Sequence, residues 1–207
     1  MPLAGHGRRP TPLRRRASRP QLKRDPLGRM QGPPEQGRLV REAFRLGNEL
    51  LMDLTAGTQV YLNFRDRFVK TPAPELIQTS VTRLCLFHII ISLSKCSEFY
   101  DRYKAIIPEN VKATAKRLDR EIEERGVVKF RNTVVGHIWD DERKRPLTKT
   151  EIQERLNWVT KSNIPGLFAW VNDGQPEHNP ATVVGMIELV LDGIRDAFGL
   201  SPADFPE

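Results

Sequence analysis

Three side chains that could cleave RNA without a metal ion lie within seven consecutive residues: Arg131, Asn132 and His137. Such a reaction needs a group that moves protons near neutral pH, and histidine, with an ordinary pKa of about 6.5, suits this task. It also needs a cation on the phosphate oxygens, which a guanidinium supplies through two hydrogen bonds. The Asn132 amide can orient either partner. The three residues predict a catalytic site for RNA that uses no cofactor and no metal.

The spacing of these residues makes a site in a single chain sparse. Along a continuous α-helix, six residues turn through about 600°, so Arg131 and His137 would project about 120° apart. A two-fold dimer would bring two copies of the set into one cleft. The alternative is a structural role, in which Arg131 pairs with Asp140 or Asp141 while Asn132 and His137 are buried. Exposure of the side chains on a cleft separates the two interpretations.

Helical periodicity runs through most of the chain and predicts a single all-α bundle of five to six helices over residues 38–200. The first helix extends to about residue 69. The second, about residues 75–106, is apolar nearly all round from Val81 to Leu93, which indicates a central position. The Asn179-Pro180 pair predicts the start of the last helix. No strand-like alternation competes with this pattern.

Breakers and caps divide the region around the three residues. Gly126 is expected to break the third helix before a new apolar stripe that runs from Val127 to Ile138. The charged segment 140–146 is predicted to be a loop. Thr148 and Glu151 then have the spacing of a capping box, which predicts the start of another helix.

Basic residues are concentrated in residues 1–37, which hold nine Arg and Lys residues against Asp25 and Glu35. This segment therefore carries +7, the net charge of the whole chain, and the rest is neutral. We expect residues 1–37 to form a disordered basic tail, because a segment with few large apolar side chains cannot offset its ordering entropy. A mis-assigned start, with Met30 as the true first residue, is the alternative. Attraction to RNA would come from the tail or from a local patch.

The cysteines and apolar runs predict a cytoplasmic protein that does not enter a membrane. Cys85 and Cys96 lie roughly 16 Å apart along one predicted helix, too far for a disulfide. The longest apolar run, Leu84 to Leu93, is too short to span a bilayer. The basic N-terminus has no apolar stretch behind its charges, so we expect no secretory signal.

Other side chains are weaker candidates for chemistry. His88 lies in an apolar helix and is predicted to be a packed or interface histidine. His6 and His178 have no partner nearby in sequence. Some polar positions of the second helix could line a site: Ser92, Lys95 and Glu98. Three aromatic residues are predicted to lie in the core or in a dimer interface and not to stack on bases: Trp158, Phe168 and Trp170.

The pattern Arg131-Asn132-x4-His137 on a helix of a small bundle resembles the signature of the HEPN superfamily. Phe130 and the Trp139-Asp140-Asp141 continuation resemble its abortive-infection (AbiU-type) branch. The resemblance covers residues 38–200. It implies homodimerisation around the motif and metal-independent endoribonuclease activity in phage defence or a toxin–antitoxin pair, with a possible cognate antitoxin. It places Arg131 and His137 at the family's catalytic positions and Asn132 at its common polar position.

The chain departs from one branch of that family at Trp139. HEPN toxins that are paired with nucleotidyltransferase antitoxins carry a tyrosine two residues after the histidine, and the antitoxin modifies it. Trp139 occupies this position, so control by tyrosine modification there is not expected. The alternative function is a HEPN-like module that binds RNA or a nucleotide, or serves as a scaffold, without turnover.

Overall fold

The structure is a computed structural model that describes residues 23–24, 30–31, 34–70, 74–136, 139–140, 144–175 and 179–201. Within these ranges the chain is an all-α bundle, as the periodicity predicts. The helices, in chain order, are α1 Pro34–Lys70, α2 Glu75–Tyr103, α3 Glu109–Glu124, α4 Val127–Phe130, α5 Lys149–Thr160, α6 Ile164–Val171 and α7 Val183–Phe198.

Two short antiparallel strand pairs, which the sequence did not predict, accompany the helices. Strand β1 (Lys23–Arg24) pairs with β2 (Met30–Gln31). Strand β3 (Trp139–Asp140) pairs with β4 (Arg145–Pro146), so the segment predicted as a charged loop contains a small hairpin. Helix α1 begins at Pro34, inside the segment predicted to be a tail.

Helices α1 and α2 form a long antiparallel hairpin, and α7 packs against α1 and α3. The main core lies between these elements and includes fully buried Leu54, Ile89 and Leu93. A glycine brings the two hairpin helices close together, because a Cβ on Gly57 would lie 2.7 Å from Cδ2 of His88. The hairpin forms the frame on which the shorter helices are held.

Helix α2 is central, as its composition predicts, but one of its faces is open. Ile89, Ile90 and Leu93 are fully buried, whereas Leu84 is 69% exposed and Ile77 is 47% exposed. Only about a third of the most apolar stretch of α2 is buried inside the bundle. By length and composition alone this helix could cross a bilayer, but the core helix of a soluble protein can be equally long and apolar. The fold is compatible with a soluble protein.

Local rules account for most of the helix boundaries. Gly126 ends the turn after α3 with a φ of 65°, as expected of a breaker. Thr148 and Glu151 form the predicted capping box: the Glu151 backbone N–H donates to Thr148 Oγ1 at 3.3 Å, and the Thr148 N–H donates to Glu151 Oε2 at 2.8 Å. Both predictions are confirmed.

The predicted start of the last helix was wrong by three residues. Thr182 is the N-cap of α7, and its Oγ1 accepts a hydrogen bond from the Gly185 N–H at 3.1 Å. Asn179 lies in the turn that precedes this cap, where its side chain makes two other hydrogen bonds. Its Nδ2 donates to Asp173 Oδ2 at 2.6 Å, and its Oδ1 accepts from the Ala181 N–H at 3.0 Å.

Candidate functional site

Arg131 and Asn132 begin a π-helical turn that continues α4 over Arg131–Val135. The turn closes where the Gly136 N–H donates to the Arg131 carbonyl oxygen at 2.8 Å, five residues back. The hydroxyl of Thr133 donates to the Lys129 carbonyl oxygen at 2.8 Å and so competes for the α-helical acceptor. The turn is the C-terminal end of this helix, a place where π-turns occur.

The π-turn changes the geometry expected for the motif. The helix that carries Arg131 ends at Val135 and does not extend to residue 138, so the prediction of a continuous α-helix through the motif was wrong. The angle of about 120° between Arg131 and His137 therefore does not apply. His137 lies outside the described residues, as do Ile138 and Asp141.

The guanidinium of Arg131 is held from two sides. Its Nη1 donates to Asn132 Oδ1 at 2.8 Å, and its Nη2 donates to Glu98 Oε1 of α2 at 3.2 Å. The Arg131 side chain is 37% exposed and that of Glu98 is 62% exposed, so the pair lies at the surface. An ion pair this exposed contributes about 0–1 kcal/mol to stability. Its effect is mainly to fix the direction of the guanidinium.

The two predicted roles of the motif differ in exposure, and Arg131 and Asn132 are open to solvent. Asn132 is exposed and Arg131 is partly exposed. The described partner of Arg131 is Glu98; the side chains of Asp140 and Asp141, its partners in the structural alternative, are outside the described residues. Exposure excludes the buried role for Asn132, while Arg131 forms its ion pair at the surface with Glu98.

Buried apolar side chains fix α4 to the bundle and turn Arg131 outward. Val127 is fully buried and Phe130 is 2% exposed. The Phe130 ring meets that of Phe87 on α2 edge-on, with centroids 6.4 Å apart. Because Phe130 directly precedes Arg131, its burial places Arg131 at the edge between α2 and the π-turn.

A groove of about 770 Å³ opens beside the motif; we call it the motif groove. One wall comes from α2 and α3: Ser97, Asp101, Asp119 and Glu123. The other comes from α4 and its two ends: Gly126, Val128, Lys129, Asn132 and Thr133. Lys129, Asn132 and Thr133 are spaced i, i+3 and i+4, so they share one helix face. Asn132 is thus the motif residue that lines the groove.

The two walls of the motif groove differ in charge. Asp119 accepts a hydrogen bond from Ser97 Oγ at 2.6 Å, and Asp101 accepts one from Lys104 Nζ at 2.8 Å. This bond to Asp101 raises the pKa of the Lys104 ammonium. With Glu123, the α2–α3 wall therefore presents carboxylates, whereas the α4 wall presents the Lys129 ammonium. A phosphate would be favoured on the α4 side and disfavoured on the other.

The polar residues of α2 that could line a site differ in their contacts and in their burial. Glu98 binds Arg131, as described above, while Lys95 lies 3.6 Å from Asp53 on α1. Ser92 is 1% exposed and points into the core. His88 is exposed on one side, but its ring packs against Gly57 of α1 and its Nε2 lies 3.0 Å from the Asp53 carbonyl oxygen, which agrees with the prediction of a packed or interface histidine. His6 and His178 lie outside the described residues.

The three aromatic residues predicted to lie in the core or in a dimer interface differ in exposure. Phe168 is 1% exposed and stacks on Tyr61 with centroids 3.7 Å apart, which confirms a core position. Trp170 is partly buried; its Nε1–H donates to Glu121 Oε2 at 3.0 Å, and the Arg125 guanidinium lies 4.0 Å from its ring centroid. Trp158 is 69% exposed. Trp158 therefore does not lie in the core, and the alternative of a dimer interface stays a prediction.

Within the described ranges, no group of three or more His, Cys, Asp and Glu side chains is arranged to hold a metal ion. Cys85 and Cys96 are both buried and unpaired by any disulfide. Burial raises the pKa of the Cys96 thiol to about 12, so this thiol is not suited to act as a nucleophile near neutral pH.

No protein-family model matches the chain, and no curated protein sequence matches it. Among solved structures, the fold is similar to that of an integron cassette protein, Vpc_cass2, from the mobile metagenome of V. paracholerae. The TM-score is 0.61 and the sequence identity is 22%; the similarity covers 79% of this chain and 98% of that one. At this identity, the likeness concerns the fold alone.

Proposed function

We propose that the protein is a metal-independent endoribonuclease that acts as a toxin or phage-defence effector. Arg131, Asn132 and His137 form the site in this proposal. The observation that carries it is the exposed, doubly held guanidinium of Arg131 at a π-turn, next to an open groove that Asn132 lines. A residue that served only to stabilise the bundle would not need this exposure.

The chemistry needs few groups, because the nucleophile is the RNA's own 2′-hydroxyl. Its oxygen attacks the adjacent phosphorus while a base removes its proton, and the 5′-oxygen leaves with a proton from an acid. Histidine can serve as base and acid near neutral pH, which assigns proton transfer to His137. The products are a 2′,3′-cyclic phosphate and a 5′-hydroxyl.

Arg131 stabilises the negative charge on the phosphate oxygens in this scheme. A guanidinium has five N–H donors, and the hydrogen bonds to Asn132 and Glu98 use one on each terminal nitrogen. Three donors remain for a phosphate. Holding the fork in place beforehand avoids the cost of ordering a long side chain during the reaction. We therefore expect Arg131→Lys to be damaging, because an ammonium keeps the charge and loses the fork.

We further propose a homodimer in which two motifs face one cleft, in the cytoplasm, with a possible cognate antitoxin as regulator and no membrane partner. A single chain offers Arg131 and Asn132 at a wide groove with one basic side chain, Lys129. A second copy would bring a second Arg131 and a second Lys129 to the cleft, together with a second set of carboxylates. Sedimentation at micromolar concentration should give about twice the chain mass of 23.7 kDa. A monomer that still cleaves RNA would exclude the composite site while leaving the motif assignment standing.

One observation favours a second candidate, a HEPN-like module that binds RNA or a nucleotide, or serves as a scaffold, without turnover. The carboxylates of Asp101, Asp119 and Glu123 face the motif across the groove. Three acidic side chains near a phosphate site would weaken the binding of a polyanion, RNA included, so they favour the scaffold form of this candidate over its RNA-binding form. The two candidates differ in product formation.

The test is incubation of the purified full chain with RNA in EDTA. The endoribonuclease proposal predicts fragments that end in 2′,3′-cyclic phosphate or 3′-phosphate. Mass spectrometry of the fragments identifies these ends. Intact RNA under all conditions of pH and salt would refute turnover and would leave the binding module as the explanation of the motif.

A further inference from the structure

An exposed tryptophan lies at one end of the motif groove. Trp158 of α5 is 69% exposed, which is high for a residue type that usually buries most of its surface. Its indole packs over Gly126, where a Cβ would lie 3.2 Å from Trp158 Cδ1 and 3.3 Å from Nε1. Gly126 is also a wall residue of the motif groove. The indole is therefore adjacent to the groove that Asn132 lines.

Two contacts hold this indole in place although its surface is open. Its Nε1–H donates to the Glu124 carbonyl oxygen at 3.3 Å, at the C-terminal end of α3. The second contact is with Gly126, which adopts a left-handed conformation with a φ of 65° and has no side chain that would displace the indole. A fixed aromatic face can bind a flat ligand without first losing its own rotational freedom.

The distance along the groove fits a short stretch of single-stranded RNA. Asn132 in the motif lies six positions after Gly126, which is next to the indole, and six positions correspond to about 9 Å at the rise of an α-helix. Stacked nucleotides advance about 3.4 Å per step along one strand, so the groove spans two to three steps. A base on Trp158 would therefore belong to a nucleotide close to the phosphate at Arg131.

The surroundings of Trp158 suit a nucleobase better than a protein partner. The centre of a protein interface is depleted of charged residues, whereas the groove beside the indole carries the carboxylate of Glu123 and the ammonium of Lys129. A base has two apolar faces and a polar edge. Its amino and imino hydrogens can donate to carboxylates such as those of Asp119 and Glu123, while the phosphates stay on the Lys129 side.

We infer that Trp158 and the Gly126 end of the motif groove form a base-binding subsite, in which a base of single-stranded RNA stacks on the indole while its phosphate reaches Lys129 and Arg131. This inference rests on the proposed function, because it assigns the substrate subsite of the same groove. Sequence-tolerant stacking of bases on aromatic side chains is a general means of binding single-stranded nucleic acid.

The test measures equilibrium binding, so that it does not depend on turnover. The probe is a fluorescein-labelled single-stranded RNA octamer, and a second octamer keeps every phosphate but has abasic sugars. Binding is followed by fluorescence anisotropy with the full chain carrying His137→Ala, which prevents cleavage. In this background, Trp158→Ala should raise the Kd for the base-bearing octamer by about 5- to 100-fold, from typical stacking energies per base. Trp158→Phe, which keeps an aromatic face, should restore most of the affinity.

Two controls separate stacking from other effects. Trp158→Ala should leave the Kd for the abasic octamer nearly unchanged, because the phosphate contacts remain. Leu84→Ala removes an apolar side chain of equal exposure on α2 and should change neither Kd. Circular dichroism confirms that each variant is folded.

Three results would overturn the subsite. The first is equal binding of the base-bearing octamer by the parent chain and Trp158→Ala. The second is an equal loss of affinity for both octamers. The third is a shift of Trp158→Ala from dimer to monomer in sedimentation, which would make Trp158 an interface residue. If the octamers bind and RNA is cleaved while Trp158→Ala has no effect, the subsite alone fails. If the wild-type chain neither binds nor cleaves RNA, the proposed function fails as well.

Discussion

The guanidinium of Arg131 lies 3.2 Å from the carboxylate of Glu98, a residue 33 positions earlier on another helix. This contact joins the π-turn to α2, and the second contact, to Asn132 Oδ1, completes a two-sided hold on the guanidinium. Because both partners are partly exposed, the pair adds little to stability. The two hydrogen bonds instead fix the direction of the Arg131 guanidinium, so that its remaining N–H groups point away from Glu98 and Asn132.

Replacement of Glu98 should therefore affect the reaction more than the fold. Glu98→Ala removes one of the two hydrogen-bond acceptors that hold the Arg131 guanidinium. We expect the cleavage rate to fall by about tenfold. This loss is smaller than the loss of about 2.7–4 kcal/mol in transition-state stabilisation that is typical when a stabilising donor itself is removed. Glu98→Gln keeps an oxygen acceptor and should lose less. The unfolding free energy, from urea titration, should change by less than about 1 kcal/mol. Glu109→Ala, which removes another exposed carboxylate paired with a lysine, is the control. Equal rates for all four chains would contradict the positioning role.

Gly126→Ala should destabilise the protein. A side chain at a φ of 65° costs about 1–2 kcal/mol, and the new Cβ would press on the Trp158 indole at 3.2 Å. Gly37→Ala is the matched control, since its Cβ would meet only Arg41 Nη1 at 3.7 Å inside α1. That control should stabilise by about 0.5–1 kcal/mol, because alanine is the better helix former. Urea denaturation measures both, and a neutral Gly126→Ala would show that the left-handed turn is not required.

Features of the fold that depend on residues a few positions apart could be predicted from the sequence, whereas features that depend on other contacts could not. The capping box of Thr148 and Glu151 and the break at Gly126 follow from residue types a few positions apart, and both predictions are confirmed. The start of α7 was predicted wrongly because Asn179 and Thr182 are both good caps, and the sequence alone does not show that the Asn179 side chain contacts Asp173 and Ala181.

The candidate site was less predictable, because its geometry depends on packing between distant segments. The residue types of Arg131 and Asn132 pointed to the site, and Glu98 was among the polar residues expected near one. The π-turn was not expected from the residue types; within it, the Thr133 hydroxyl donates to the Lys129 carbonyl oxygen. Trp158 does not lie in the core, the first of the two positions predicted for it, and the second, a dimer interface, stays a prediction.

The cysteines should be inert in the folded protein. Burial raises the pKa of both thiols, that of Cys96 to about 12, so the reactive thiolate of Cys96 is about one part in 10⁴ at pH 8. A raised pKa means that the neutral thiol persists through neutral pH and gives way to thiolate only near pH 12 or on unfolding. Titration with Ellman's reagent at pH 8 should detect neither thiol in buffer and both in urea. Rapid reaction of two thiols in the native chain would contradict the burial of α2.

Lys129 should contribute charge to RNA binding without base preference. Loss of one phosphate contact lowers affinity for all sequences and reduces the slope of log K against log salt by about 0.7 for single strands. We expect this change for Lys129→Gln in anisotropy titrations at several salt concentrations. Lys112→Gln, on the exposed face of α3 and paired with Glu109, should leave the slope unchanged. An unaltered slope for Lys129→Gln would show that Lys129 contacts no RNA phosphate in the motif groove.

The rate of RNA cleavage in EDTA, measured for the wild-type chain and for His137→Ala, tests the central claim most directly. Removal of a general acid–base typically lowers the rate by about 10²–10⁴-fold, so His137→Ala should be nearly inactive while its helical circular dichroism is unchanged. Cleavage by the wild-type chain with the products ending in 2′,3′-cyclic phosphate is the predicted companion result. Equal cleavage by the two chains, or no cleavage by either, would contradict the assignment of Arg131, Asn132 and His137 as a ribonuclease site.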